Sequence, residues 1–199
     1  MTHRLILASS SVARAQMLHD CGVPFDIAKP QVDEMSVKQA MLAEGLPPRD
    51  IADALADLKA RKIALRAPQN LILGSDQVLT CAGKLFDKPT TLADARDQLT
   101  ALRGASHELL SAAVIYEDGR PVWRHIGRAQ LIMRDFSDAF LDDYISRHGD
   151  DLLTTVGCYK LEADGPTLFS RIQGDYFSVL GMPLLDVLAF LRTRRIVLE

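Results

Sequence analysis

Ser9-Ser10-Ser11 followed by Arg14 has the residue types of an anion-holding turn. Where such a turn enters a helix, unpaired backbone N–H groups and hydroxyl donors suit a phosphate. Arg14, in the first turn, adds a bidentate fork for phosphate oxygens. The same residues also describe an ordinary capped helix with a surface arginine, and the segment alone favours that plainer reading, since capping serines are common. Asp76 directly follows the apolar run Leu71-Ile72-Leu73 and Gly74-Ser75, where loops after strands often carry site residues. Its carboxylate suits metal binding or water activation; a turn aspartate bonded to nearby backbone is the plainer alternative. Val32-Asp33-Glu34 reads as two further carboxylates in a loop after Pro30. Glu34 with Asp76 would meet magnesium's demand for one or two carboxylates completed by phosphates and water. Taken alone, Asp33-Glu34 is a solvated loop. Lys59, and Lys88 beside the rigid Pro89, offer point charges for a triphosphate, although most lysines are simply solvated. Arg61, Lys62 and Arg66 read as an exposed helix face.

A local basic cluster is what the overall charge requires. The chain carries 23 Lys and Arg against 26 Asp and Glu, a net charge of −3, which gives no general attraction to nucleic acid polymers or anionic membranes. A highly anionic substrate must therefore be met locally. Three cysteines, Cys21, Cys81 and Cys158, form neither a disulfide framework nor a zinc pattern and read as reduced thiols of a soluble, cytoplasmic protein. The N-terminal apolar run is too short for a signal peptide, and nothing approaches a membrane span. His107, entering a long strand, reads as a structural hydrogen-bond partner, since no second histidine stands at metal-ligand spacing. Neither a Gly-x-Ser-x-Gly elbow nor a Gly-Lys-Ser/Thr phosphate loop is present in the sequence.

These residues need elements to hold them. Leu5 to Ala8 predicts a buried strand, the serine turn follows, and Val12 to Cys21 predicts a helix with Ser11 as N-cap and Gly22 and Pro24 as stops. Ile51 to Leu65 predicts a second helix, and Leu71 to Leu73 a strand delivering Asp76. Gln77 to Phe86 reads as a hairpin around Gly83. Thr91 and Asp94 start a helix to Leu102, with Gly104 just past its end. His107–Tyr116 and Val122–Met133 are strands on either side of Asp118-Gly119. Ser137 to His148 is a helix stopped by Gly149, and the last helix runs from Pro183 to about Arg194. At 199 residues the expectation is one α/β domain with a mixed sheet and two lobes around a cleft.

In order, the segments resemble the Maf family of nucleoside triphosphate pyrophosphatases. The resemblance is carried by Leu7-Ala8-Ser9-Ser10-Ser11 with Arg14 and Leu18, Val32-Asp33-Glu34, Lys59-Ala60, Gly74-Ser75-Asp76-Gln77-Val78 and Lys88-Pro89. It continues through Leu102–His107, Gly157–Glu162 and Gly174–Leu184, and so covers nearly the whole chain. It implies an elongated Maf/ITPase-like α/β fold, a twisted mixed sheet flanked by helices with a central cleft. It also implies a homodimer and a reaction, dependent on a divalent metal (Mg2+ or Mn2+), that cuts a triphosphate between its α- and β-phosphates. By that resemblance Asp76 is the catalytic carboxylate and Glu34 joins the metal or water site. Ser9, Ser11, Arg14, Lys59 and Lys88 hold the triphosphate.

Two departures stand out. Ala13 replaces an arginine found in many members, and Asp87 precedes the lysine of Lys88-Pro89 where many members have glycine. Glu162, together with Gly74–Val78, looks more like the branch that prefers 7-methyl-GTP or other modified nucleotides than the dTTP/UTP branch. A carboxylate accepts two hydrogen bonds and so matches the N1–H and N2–H donors of guanine. Tyr159 or Phe169 would add cation–π attraction to a methylated, cationic base. The competing readings are a dTTP/UTP pyrophosphatase, a non-catalytic nucleotide-binding regulator of cell division, and a hydrolase of another phosphate ester.

Overall fold

Short apolar strands buried on both faces set the centre of the sheet. The computed structural model describes residues 4–198. Strand β1 (Leu5–Ala8) pairs in parallel with β2 (Phe25–Ile27) on one side and with β3 (Leu71–Cys81) on the other. Strands β4 (Lys84–Phe86), β5 (Ser106–Glu117), β6 (Arg120–Met133) and β7 (Phe169–Gln173) complete a seven-stranded mixed sheet. Its order is β2-β1-β3-β5-β6-β7, with β4 antiparallel on β3. The α-helices are α1 (Val12–Asp20), α2 (Glu34–Ala43), α3 (Pro48–Ala64), α4 (Leu92–Leu102), α5 (Asp138–His148), α6 (Tyr176–Val179) and α7 (Leu184–Thr193). The α/β class with a mixed sheet is therefore as the sequence predicts. Among the described residues no helix is long and apolar enough to cross a membrane.

The chain divides into two compact units. The first holds the described residues up to Gln77, Leu110–Gly127 and the segment from Asp175 onward; the second holds Val78–Leu109 and Arg128–Gly174. The chain passes from one to the other within β3, β5 and β6. In the first unit, Leu5 and Leu7 of β1, Leu71 and Leu73 of β3, Leu18 of α1 and Leu191 of α7 belong to one apolar cluster. Burying a leucine of this kind stabilises the fold by about 1.5–3 kcal/mol.

Local chemistry explains most boundaries. Ser11 caps α1, its Oγ accepting from the Arg14 N–H at 3.4 Å. Thr91 and Asp94 form the reciprocal capping box at the start of α4, and Gly104 follows that helix with φ +68°. The β5–β6 turn is Asp118-Gly119, both at positive φ, as a tight hairpin turn requires. Elsewhere the observed elements outrun the expectation. The Gln77–Phe86 hairpin forms as expected, but its first arm is continuous with the strand at Leu71–Leu73, so β3 runs unbroken to Cys81. α3 begins at Pro48, where a missing N–H does no harm in the first turn. β2, α2 and β7 were not predicted, since the two strands are only three and five residues long and the helix has little apolar periodicity. Gly149 ends α5 as predicted, but the chain continues as a 3-10 turn over Gly149–Thr154.

Candidate active site

Parallel register brings the first two motifs side by side. Ala8 of β1 pairs with Gly74 of β3, so the serine turn after β1 and the Ser75-Asp76 pair of β3 continue from adjacent rungs. Gly74 also sets the distance to α3. A Cβ there would lie 2.3 Å from the Ala56 carbonyl oxygen and 2.7 Å from the Ala60 nitrogen, so only glycine lets α3 pack this closely on the strand. Lys59, one residue before Ala60, thereby reaches Asp76, one rung beyond Ser75.

That contact is the centre of the site. Lys59 Nζ donates to Asp76 Oδ1 at 2.6 Å and also lies 2.8 Å from Glu34 Oε2. The Lys59 and Asp76 side chains are 8% and 9% exposed and that of Glu34 is 49% exposed, so one ammonium joins a buried carboxylate to an open one. A buried charge pair of this type persists only when both partners are present. The sequence placed Glu34 in a loop, and here the reading is corrected. Asp33 is the N-cap of α2, its carboxylate accepting from the Ser36 N–H at 3.1 Å and the Ser36 hydroxyl at 2.7 Å. Those bonds hold the Asp33 carboxyl below its ordinary pKa. Glu34 is the first helical residue, and its backbone is fixed by the cap. Aspartate is among the preferred N-cap residues, so Asp33 carried a local signal for the start of this helix.

Arg14 forms the other half of the site, and it is no surface residue. It is buried; its Nε donates to the Gly181 carbonyl at 2.8 Å and its Nη1 to Ser9 Oγ at 3.3 Å. Ser9 Oγ accepts from the Ser11 N–H at 3.1 Å, and Ser75 Oγ donates to the same Gly181 carbonyl at 3.1 Å. Burial pulls the guanidinium below its ordinary pKa, while the negative charges of Asp76 and Glu34 pull the other way. Ser9, Ser11, Arg14, Glu34, Lys59 and Asp76 all belong to the first unit.

Lys88 and Glu162 belong to the second unit. Lys88 follows β4 and is exposed, with Pro89 buried beside it, and the Asp87 carbonyl accepts from Gln98 Nε2 at 2.8 Å. Glu162 is exposed on a turn before the 3-10 segment Gly165–Leu168. Tyr159 is buried, its hydroxyl 2.8 Å from His107 Nε2 and its ring edge-on to Phe169 at 4.8 Å. Burial drives the Tyr159 hydroxyl well above its ordinary pKa and the His107 imidazole down to about 4. His107 is thus the structural hydrogen-bond partner that its position in the sequence indicates.

The donor set fits a hard divalent cation. Asp76 and Glu34 already converge on one cation, the Lys59 ammonium, and supply only oxygen. Among the described residues no group of three or more His, Cys, Asp and Glu side chains forms a cage by itself, so phosphate oxygens and water would complete the shell. The arrangement can hold an anion on Arg14 and the serine hydroxyls and accept a proton at Asp76.

The sequence model of the family described as Maf-like protein matches residues 4–194. A protein of Roseobacter denitrificans named nucleoside triphosphate pyrophosphatase is 55% identical over 194 residues, 98% of each chain. A protein of the same name from Ruegeria pomeroyi is 54% identical over 197 residues, 99% of each chain. One from Caulobacter vibrioides, again so named, is 51% identical over 186 residues, 94% of this chain and 93% of its own.

Proposed function

This chain belongs to the Maf-like protein family, and on that footing we propose that it hydrolyses nucleoside triphosphates to the monophosphate and pyrophosphate. The observation that carries the proposal is the Asp76–Lys59–Glu34 contact beside a buried arginine and serine hydroxyls. The names of the relatives support it. Water attacks the α-phosphorus, its oxygen forming the new P–O bond as the bond to the α,β-bridging oxygen breaks. The electron pair leaves with pyrophosphate, and the water proton passes to Asp76. One Asp76 oxygen is held by Lys59, which orients the carboxylate and leaves Oδ2 for the water. Arg14 and the hydroxyls of Ser9 and Ser11 hold phosphate oxygens, where fixed donors stabilise charge that grows in the transition state. Glu34 and Asp76 would hold the divalent cation, Mg2+ or Mn2+, which when bound neutralises phosphate charge and acidifies water.

Lys88 adds a further positive charge for the β- and γ-phosphates in this proposal, and Glu162 reads the base. An exposed carboxylate at Glu162 supports a preference for 7-methyl-GTP or another guanine-like base, because it accepts from two neighbouring donors. Free thiols at all three cysteines support a cytoplasmic setting, and the family resemblance supports a homodimer. The test is incubation with Mg2+ or Mn2+ and a panel of UTP, dTTP, GTP and 7-methyl-GTP in 18O-water. Monophosphate carrying the label, with unlabelled pyrophosphate, is the expected result. Nucleotide binding without turnover for any metal would replace the enzyme with a regulator, and UTP or dTTP as best substrate would replace the base assignment.

A further inference from the structure

The Gly181 carbonyl accepts from both Arg14 Nε and Ser75 Oγ, so whatever fixes Gly181 fixes the guanidinium. Gly181 sits at φ +111°, a backbone conformation that glycine tolerates, and a Cβ there would come within 3.4 Å of the Arg14 guanidinium. Its own N–H donates to the Ser178 carbonyl at 3.2 Å. That carbonyl is the knot of the segment. It also accepts from Gln77 Nε2 at 3.0 Å and from Ser111 Oγ at 2.7 Å. Gln77 Nε2 further reaches Ser111 Oγ and the Val179 carbonyl, each at 3.0 Å. The Ser111 hydroxyl gives its proton to Ser178 and accepts from the Gln77 amide, whose two N–H groups are shared among the three acceptors. Ser111 and Ser178 are 0% and 1% exposed, so water cannot replace a bond that is lost there. All these residues belong to the first unit.

We propose that Gln77, with Ser111, is a positioning residue for the phosphate-binding arginine: it ties the Ser178–Gly181 backbone to β3 and β5, and so holds the carbonyl that aims Arg14. The inference rests on the proposed reading of Arg14 as a triphosphate contact only for its effect on binding; the aiming of Arg14 stands on the hydrogen bonds themselves. Gln77 is one residue after Asp76, so a single strand sets both the carboxylate and the arginine. A donor-free isostere separates the two effects. In Gln77→Met the Arg14 Nε–H is expected to exchange with solvent about tenfold faster, read on its own 1H–15N resonance. The affinity for α,β-methylene-GTP, which cannot be cut between those phosphates, is expected to fall by about the same factor. In an Arg14→Met background the Gln77 substitution is expected to change that affinity no further. Ser111→Ala removes one donor and keeps the amide, and its expected effects are about threefold on both readouts.

Unchanged Arg14 exchange in both variants overturns the proposal whatever the affinity does. An equal loss of affinity with and without Arg14 also overturns it, because Gln77 would then act on the fold at large. Faster exchange in a protein whose native form binds no triphosphate supports the positioning role and overturns the proposed function instead. If Gln77→Met does not fold, Ser111→Ala decides by the same criteria.

Discussion

Two buried polar clusters solve the same desolvation problem in different ways. In the first unit, Lys59, Asp76 and Arg14 are all buried and all charged groups, each met by an opposite charge or a fixed dipole. In the second unit, His107 and Tyr159 are equally buried but meet each other and the Phe169 ring rather than an opposite charge, and His107 Nδ1 has no hydrogen-bond partner. Burial there pushes both groups toward their neutral forms. The contrast separates chemistry from packing. In the first cluster the Lys59 ammonium stands between the carboxylates of Asp76 and Glu34, and Glu34 carries the contact out to a half-exposed position. The second is held neutral by burial and packs as part of the core of its unit.

The contrast breaks most visibly at Lys59. Lys59→Met removes the cation that joins Asp76 to Glu34 and is expected to lower kcat/KM by about a hundredfold or more, measured by pyrophosphate release. It also leaves Asp76 buried without its ion-pair partner and is expected to lose about 3 kcal/mol of stability in urea. Added Mg2+ is expected to return part of that stability, since a divalent ion suits the same two oxygens. A Lys59→Met protein as stable and active as the native one would erase the distinction between the clusters.

Gly74→Ala attacks the geometry instead of the charge. The new Cβ has no room against Ala56 and Ala60, so α3 must retreat and take Lys59 from Asp76. The expected result is a loss of about 2–3 kcal/mol together with weakened turnover, checked by denaturation and kinetics on one preparation.

The second cluster answers to pH. His107 binds a proton at its ordinary value of 6.5 when unfolded and only at about 4 when folded. Between those values the unfolded chain holds more protons, so this residue's contribution to stability is full above 6.5 and is lost as pH falls toward 4. At about 1.4 kcal/mol per unit the loss is roughly 3 kcal/mol. Urea midpoints across that range are expected to show a slope that His107→Phe reduces. A slope unchanged by the substitution would place the titration elsewhere.

Glu162→Gln is the smallest change. It is expected to leave stability within about 0.5 kcal/mol, as for an exposed residue, while shifting the ranking of guanine over uracil triphosphates. An unchanged ranking would contradict the assignment of Glu162 to the base.

Legibility followed locality. Ser11 as a cap, the Thr91–Asp94 box and the Asp118-Gly119 turn are decided within four residues, and the sequence shows them. The ordered motifs marked Ser9, Arg14, Glu34, Lys59 and Asp76; all five lie in the first unit, with Lys59 against both carboxylates and Arg14 bonded to Ser9. The Ser9–Arg14 segment by itself favours an exposed Arg14, because the carbonyl that holds the guanidinium inside lies 167 residues away. Gln77, Ser111 and Ser178 are illegible for the same reason, although Gln77 and Ser178 lie within Gly74–Val78 and Gly174–Leu184; nothing local distinguishes a buried amide on distant carbonyls from a solvated one. Helix α2 was missed because its pattern is mostly exposed, and the Asp33–Ser36 cap was the one signal that would have found it.

The most direct measurement follows products by 31P NMR for the native protein and Asp76→Asn, each with Mg2+ and the preferred triphosphate. The expected outcome is monophosphate and pyrophosphate from the native protein, and a rate lower by about 10²–10⁴ from Asp76→Asn with nucleotide still bound. Diphosphate and inorganic phosphate as products, or an Asp76→Asn protein that turns over at the native rate, would contradict the account.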